Sequence, residues 1–433
     1  MANIAGFPTI TITYGKTGKS TDRKHAEKLR DFVKAEDLDE LIVFSHGWNN
    51  SAREAKALYR GVLKHLKTSL AEDARFDARK VGLLAVVWPS KRFKAFEKED
   101  DSLHGGGAAS AEPEIDDPMV DARRLSRELA QDLPRAKRKR MVDAAEAAIE
   151  DADHWPAFLA TLEDVMPQDD GAGDEADKLL FGGIKDPQEA LEQFDFIDVE
   201  SEDDMQPGGA AGGFFQGAAG AVGSVLNFAT YYVMKRRAGL VGQNGLAQTL
   251  SGIRTVKPGL RIHFVGHSFG GRLVTMAALT LNGEGSAAPD SMTLLQAAFS
   301  HNSFSARYPP PNEPGFFRGV MTNTCVRGPI LVTHTFNDIP VRVAYSIASA
   351  LSGESAAFAR DTPSQYGGLG ANGAQHMGGE ADDGTLHAVG STQYDFKPGK
   401  VFNLLADKYI AGHSAVRVPE VGYALAKAMG TTL

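Results

Sequence analysis

Six stretches of this chain are too apolar to have a wet side. "DELIVFSHGW" (39–48), "VGLLAVVWPS" (81–90), "LRIHFVGHS" (260–268), "SMTLLQAAFS" (291–300), "GPILVTHTFND" (328–338) and "KVFNLLAD" (400–407) run apolar residues together where a half-exposed strand would alternate. Runs of this kind are strands covered on both faces, as in a parallel sheet. A seventh strand is read at "PTITITYG" (8–15), and helical patterns fill most of the intervals, among them about 21–35 and about 52–70. Strand and helix in repeated alternation predict a parallel sheet with helices on both of its faces.

One of the six runs ends unusually. "FVGHSFGGRL" (264–273) passes from apolar strand to the amphipathic pattern "GRLVTMAALTL" (271–281) through a single serine set among glycines. A serine hydroxyl is a weak nucleophile, and a hydrolase exposes it on a strained strand-to-helix turn within reach of a histidine. The pattern G-x-S-x-G suits that turn, because backbone passes too close two residues before and two after for a side chain to fit. Gly266 and Gly270 occupy those positions around Ser268, and Gly271 extends the clearance.

The partners such a serine needs fall at other strand ends. "SHGWNNS" (45–51) follows a buried run and is the expected source of one oxyanion-hole N–H, assigned to Trp48 with Gly47 as second choice; Phe269, directly after the serine, supplies the other. "HTFNDIPV" (334–341) closes a strand with Asp338, placed to orient a histidine, with Asp407 as the competing acid. "YIAGHSAVRVPEV" (409–421) follows the last strand and offers His413 as base. His267 inside the turn and His334 inside a strand read as structural, His376 and His387 lack the right station, and His46 reads as a residue that ties down its own loop.

With the order Ser268, Asp338, His413, the chain resembles the alpha/beta-hydrolase fold over about 8–90 and 220–433, and "HGWNNS" with "GHSFGG" is similar to a bacterial group of serine hydrolases within it. The resemblance implies an eight-stranded, mostly parallel sheet, a Ser-His-Asp triad that needs no cofactor, and acyl-ester or related substrates. Two departures stand out. The large insertion lies between the fourth and fifth strands, and Asp338 and His413 are 75 residues apart.

The insertion has its own character. Residues 91–207 hold 32 acidic and 14 basic side chains, a net of −18, so the rest of the chain carries +9 within a total of −9. Helical patterns at "PMVDARRLSRELAQDL" and "HWPAFLATLEDVM" predict a helical cap over 91–218, set into a core of 1–90 and 219–433, with a second, glycine-rich loop insertion holding at most a hairpin at 352–399. No charged residue occurs between Met205 and Met234, but glycines crowd the first half of that stretch, which favours a buried core helix over about 222–238 rather than a membrane span. The basic run "RAKRKR" (135–140) is flanked by acids and reads as a solvated helix face, so no nucleic-acid partner is expected. No zinc or dinucleotide motif is present. The lone Cys325 and an N-terminus without a basic, then long apolar, leader predict a reducing, cytoplasmic setting.

These readings converge on a serine hydrolase for small-molecule or lipid-like esters, with an apolar acyl pocket to which "FSHNSFSARYPPPNEPGFF" (299–317) adds a wall. The alternatives are a membrane-acting lipase or phospholipase with peripheral membrane contact, an acyltransferase with the same triad, and an inactive hydrolase scaffold serving as a binding module.

Overall fold

The computed structural model describes residues 2–90, 118–166, 187, 217–282, 287–308, 312–342 and 367–433. The chain divides into two compact units, one of Met1–Ser90, Asp169–Leu179 and Met234–Leu433, the other of Lys91–Gln168 and Leu180–Val233.

The first unit is built on a nine-stranded sheet. Its strands are β1 (Ala2–Ile4), β2 (Phe7–Thr13), β3 (Glu40–Ser45), β4 (Val81–Val87), β5 (Arg261–His267), β6 (Ser291–Leu295), β7 (Ile330–His334), β8 (Ala381–Thr385) and β9 (Val401–Leu405). They lie in the order β1-β2-β4-β3-β5-β6-β7-β9-β8. Only the β1–β2 pair is antiparallel; every other neighbouring pair is parallel. This is the parallel sheet that the apolar runs predicted, and it is mostly parallel as the alpha/beta-hydrolase resemblance implied. The register sets the site: Ser45 pairs with Gly266, and His267 pairs with Leu295, so the loops leaving β3, β5 and β6 emerge side by side. Chain order reverses at β3, where open sheets of this kind leave a crevice beyond the strand ends.

Both faces are covered, which is why the central strands are wholly apolar. Ile42, Phe44, Leu83, Ala85 and Val265 belong to one core cluster with Tyr59, Val62, Leu66, Val421 and Leu425 of the helices Ala52–Ala71 and Pro419–Gly430. Leu41, Val43, Ile262 and Phe264 alternate with the sheet members of that cluster and are equally inaccessible. The helix Ala52–Ala71 starts at a capping box, with Ser51 N–H donating to Glu54 at 2.6 Å and Glu54 N–H to Ser51 Oγ at 3.2 Å. Its contact with Pro419–Gly430 is close enough that a Cβ on Gly422 would sit 2.6 Å from the His65 carbonyl carbon.

Two expectations are corrected at the sheet's edges. The resemblance implied eight strands, but nine form among the described residues, the extremes being β1 and β8. The described part of the glycine-rich segment, 367–399, is no loop with a hairpin: it holds a helical turn at Leu369–Asn372 and the strand β8, which pairs parallel to β9. Its sequence, ADDGT, is largely exposed, and a polar edge strand shows neither an apolar run nor alternation. Residues 352–366 of the same segment lie outside the described residues.

In the second unit, the helices Pro118–Asp132, Arg135–Glu150 and Trp155–Val165 follow one another. Arg123 reaches from the first to Glu146 and Glu150 of the second at 2.7 and 3.2 Å. Leu125, Leu129, Met141, Ala145, Phe158 and Leu162 are buried. The described part of the uncharged stretch, 217–233, lies in the helix Gly217–Val241, and residues 206–216 lie outside the described residues; the division between the units falls after Val233. No helix among the described residues is long and apolar enough to cross a membrane.

Candidate active site

Ser268 stands where β5 gives way to the helix Phe269–Thr280, with φ +55° and ψ −126°. This conformation is one that side chains avoid, and a strained residue at a strand end is a mark of function. The turn is held by hydrogen bonds around it: Ser268 N–H donates to Leu295 O at 3.0 Å, and Ser268 O accepts from Gly271 N–H at 2.9 Å and Ala298 N–H at 3.2 Å. Close approach explains the glycines. A Cβ on Gly266 would meet Gly270 O at 2.4 Å, and one on Gly270 would meet Ser45 O at 2.2 Å.

The loop after β3 lies directly beside the serine. A Cβ on Gly47 would be 2.6 Å from Ser268 Cβ and 3.1 Å from its Oγ, and the Trp48 and Phe269 rings are 6.3 Å apart. The structure thus brings together Ser268, Gly47, Trp48 and Phe269.

His46 organises that loop. Its ring lies flat against Trp88, at 5.5 Å and 13°, and accepts from Trp88 N–H at Nε2 (3.3 Å). The proton therefore sits on Nδ1, which donates to Gly47 O at 2.9 Å. Its backbone N–H donates to the Tyr59 hydroxyl, and its carbonyl accepts from Trp88 Nε1. Burial, aided by the proximity of His267, lowers its pKa to about 4, so the ring remains neutral as a brace. Ser90 completes the support: its carbonyl accepts from Asn49 N–H at 2.9 Å, and its hydroxyl donates to Asn50 O at 3.0 Å.

The acid arrives from the end of β7. Asp407 Oδ1 accepts from Thr335 Oγ1 (2.7 Å) and Phe336 N–H (2.9 Å), fixing the turn that delivers Asp338. Asp407, the competing acid, is thereby committed to the turn. Asp338 is fully buried, and both of its carboxylate oxygens lie 3.0 Å from His413 Nδ1. The carboxylate accepts, so Nδ1 carries the proton and Nε2 is the unprotonated nitrogen. Gly370 lets this carboxylate in, since a Cβ there would lie 2.9 Å from Asp338 Oδ2 and 2.6 Å from the Gln296 carbonyl carbon.

His413 is tied to the elbow as well as to the acid. Its carbonyl accepts from His267 Nε2 at 2.9 Å, and the two rings are 5.0 Å apart. The remaining histidines lie elsewhere: His376 bonds Asn302, and His387 packs on Tyr394. Sequence reading missed the supporting residues Tyr59, Trp88 and Ser90. "WPS" at the end of a buried strand was the available signal for two of them. Among the described residues no group of three His, Cys, Asp or Glu is placed to hold a metal ion.

The family model for Lipase (class 3) matches residues 179–308, a span that contains the elbow and ends before Asp338 and His413. No curated protein and no solved structure matches the chain. The chain has the alpha/beta-hydrolase fold, and from residue 179 to 308 it is similar to the class 3 lipases.

Proposed function

We propose that the protein is a serine hydrolase that cleaves carboxylic esters through an acyl-enzyme. The observation that carries this reading is a strained, elbow-borne Ser268 whose preceding residue, His267, bonds the His413 carbonyl, in a chain where His413 Nδ1 is held by both oxygens of a buried Asp338. In the proposed cycle Ser268 Oγ attacks the ester carbonyl while His413 Nε2 takes its proton. Backbone N–H groups of Trp48, or Gly47, and Phe269 stabilise the oxyanion. His413 then protonates the departing alcohol, and water, deprotonated by the same ring, releases the acid and frees the serine. Asp338 holds the imidazole in the required tautomer and balances its positive charge while it is protonated.

The similarity to class 3 lipases supports a lipid-like acyl chain, and the acidic insertion is proposed to act as its cap. A series of p-nitrophenyl esters of increasing chain length tests both ideas. Wild type is expected to release a burst of nitrophenolate equal to its active sites, to prefer medium or long chains, and to lose that preference when residues 100–205 are deleted. Turnover by Ser268→Ala above about one part in a thousand of wild type would exclude this nucleophile.

A further inference from the structure

We propose that His267, the residue preceding Ser268, is a positioning residue that fixes the catalytic histidine through the main chain; the inference rests on the serine-hydrolase reading. His413 sits in the loop between β9 and the helix Pro419–Gly430, where no ladder sets its position. Residues 411–415 are all partly or fully exposed, and a Cβ on Gly412 would touch nothing within 4 Å. The loop is anchored before this stretch at Ile410, whose carbonyl accepts from Asn337 Nδ2 at 3.2 Å, and after it by the buried Val416. Between those anchors the base has to be held to a fraction of an ångström, because displacement by about 1 Å costs on the order of a hundredfold in rate.

Hydrogen bonds to the ring of His413 and to its main chain serve that need. Asp338 grips the ring at Nδ1, and the main chain around it is turned by the Ala415 N–H bond to Gly412 O at 3.1 Å. His267 Nε2–H grips the His413 carbonyl at 2.9 Å, from a side chain that is 2 % exposed and belongs to the last residue of β5. Nucleophile and clamp are thus consecutive residues of one rigid turn, so a shift of the elbow carries the base with it. The acceptor is a carbonyl, so His267 keeps its proton on Nε2; Gly47 lies on its other side, where a Cβ would come within 3.3 Å of Nδ1. The requirement is therefore for one N–H at the Nε2 position, which glutamine reproduces with its terminal amide and asparagine, one carbon shorter, does not.

The test compares His267→Gln, His267→Asn and His267→Leu in the full-length protein, with p-nitrophenyl butyrate turnover and the rate of fluorophosphonate inactivation as readouts. The inference expects kcat and the inactivation rate of the Asn and Leu variants to fall together by about ten- to a hundredfold, with KM within about twofold of wild type, and Gln to restore them to within about fivefold. Equal activity of Gln and Asn, at any level, would overturn it, as would losses confined to KM. The Gln–Asn comparison stands even if the Leu variant fails to fold. An inert wild type is a separate result: it overturns the hydrolase reading itself, and this inference with it.

Discussion

Replacing Ser268 by glycine should stabilise the protein while abolishing its activity. The residue holds φ +55° with ψ −126°, a conformation open to glycine and costly to any residue with a Cβ. Strain of this kind costs about 1–3 kcal/mol, whereas glycine adds about 0.5–1 kcal/mol of backbone entropy to the unfolded chain, so mid-range values leave a net gain of about 1 kcal/mol. The proper reference is Ser268→Ala, which removes the same hydroxyl but keeps the Cβ and hence the strain. At about 2–4 °C per kcal/mol, the figure for domains of about 150–250 residues, Ser268→Gly should melt about 2–4 °C above Ser268→Ala in a thermal scan. Neither variant should turn over ester, so ligand effects do not blur the comparison. A glycine variant that melts at or below the alanine variant would refute the view that the turn stores strain to expose its serine.

Other outcomes follow from the same geometry. Asp338→Asn should lower kcat by about four orders of magnitude, because an amide permits the wrong imidazole tautomer; Asp407→Asn should lower the melting temperature and cost far less in rate, and steady-state kinetics with thermal scans on both will separate the roles. Gly270→Ala puts a methyl 2.2 Å from Ser45 O and should destabilise the fold by about 3 kcal/mol or more, seen as a lower urea midpoint. His46 is neutral in the folded protein because its pKa is lowered to about 4 from 6.5. The unfolded chain therefore binds the extra proton as pH falls from 6.5 to 4, and up to about 3 kcal/mol of stability present above pH 6.5 should be lost over that window. Urea titrations at pH 7.5 and 4.5 should show a smaller difference in His46→Gln than in wild type.

The parts of this site that were legible in the sequence are those written locally. Full burial on both faces leaves a continuous apolar run, so β3 to β7 and β9 announced themselves. The crowding that demands Gly266 and Gly270 also lies within a few residues of Ser268. Strand ends could be placed, and with them Asp338 and His413. What stayed hidden depends on contacts between distant segments or on strands without an apolar pattern. The polar edge strand β8 looks like a loop. Trp88 and Ser90 act on a loop some forty residues earlier, through hydrogen bonds that no spacing encodes. Which of Asp338 and Asp407 meets the His413 ring depends on which carboxylate the β7 turn takes up for its own closure, and no spacing encodes that.

Mass spectrometry of the intact protein after exposure to a fluorophosphonate tests the central claim most directly. The account predicts a single adduct on folded wild type, mapped by peptide fragmentation to Ser268, and none on the denatured chain, where a lone serine hydroxyl has no base beside it. An unmodified folded protein, or an adduct on any other residue, would contradict it.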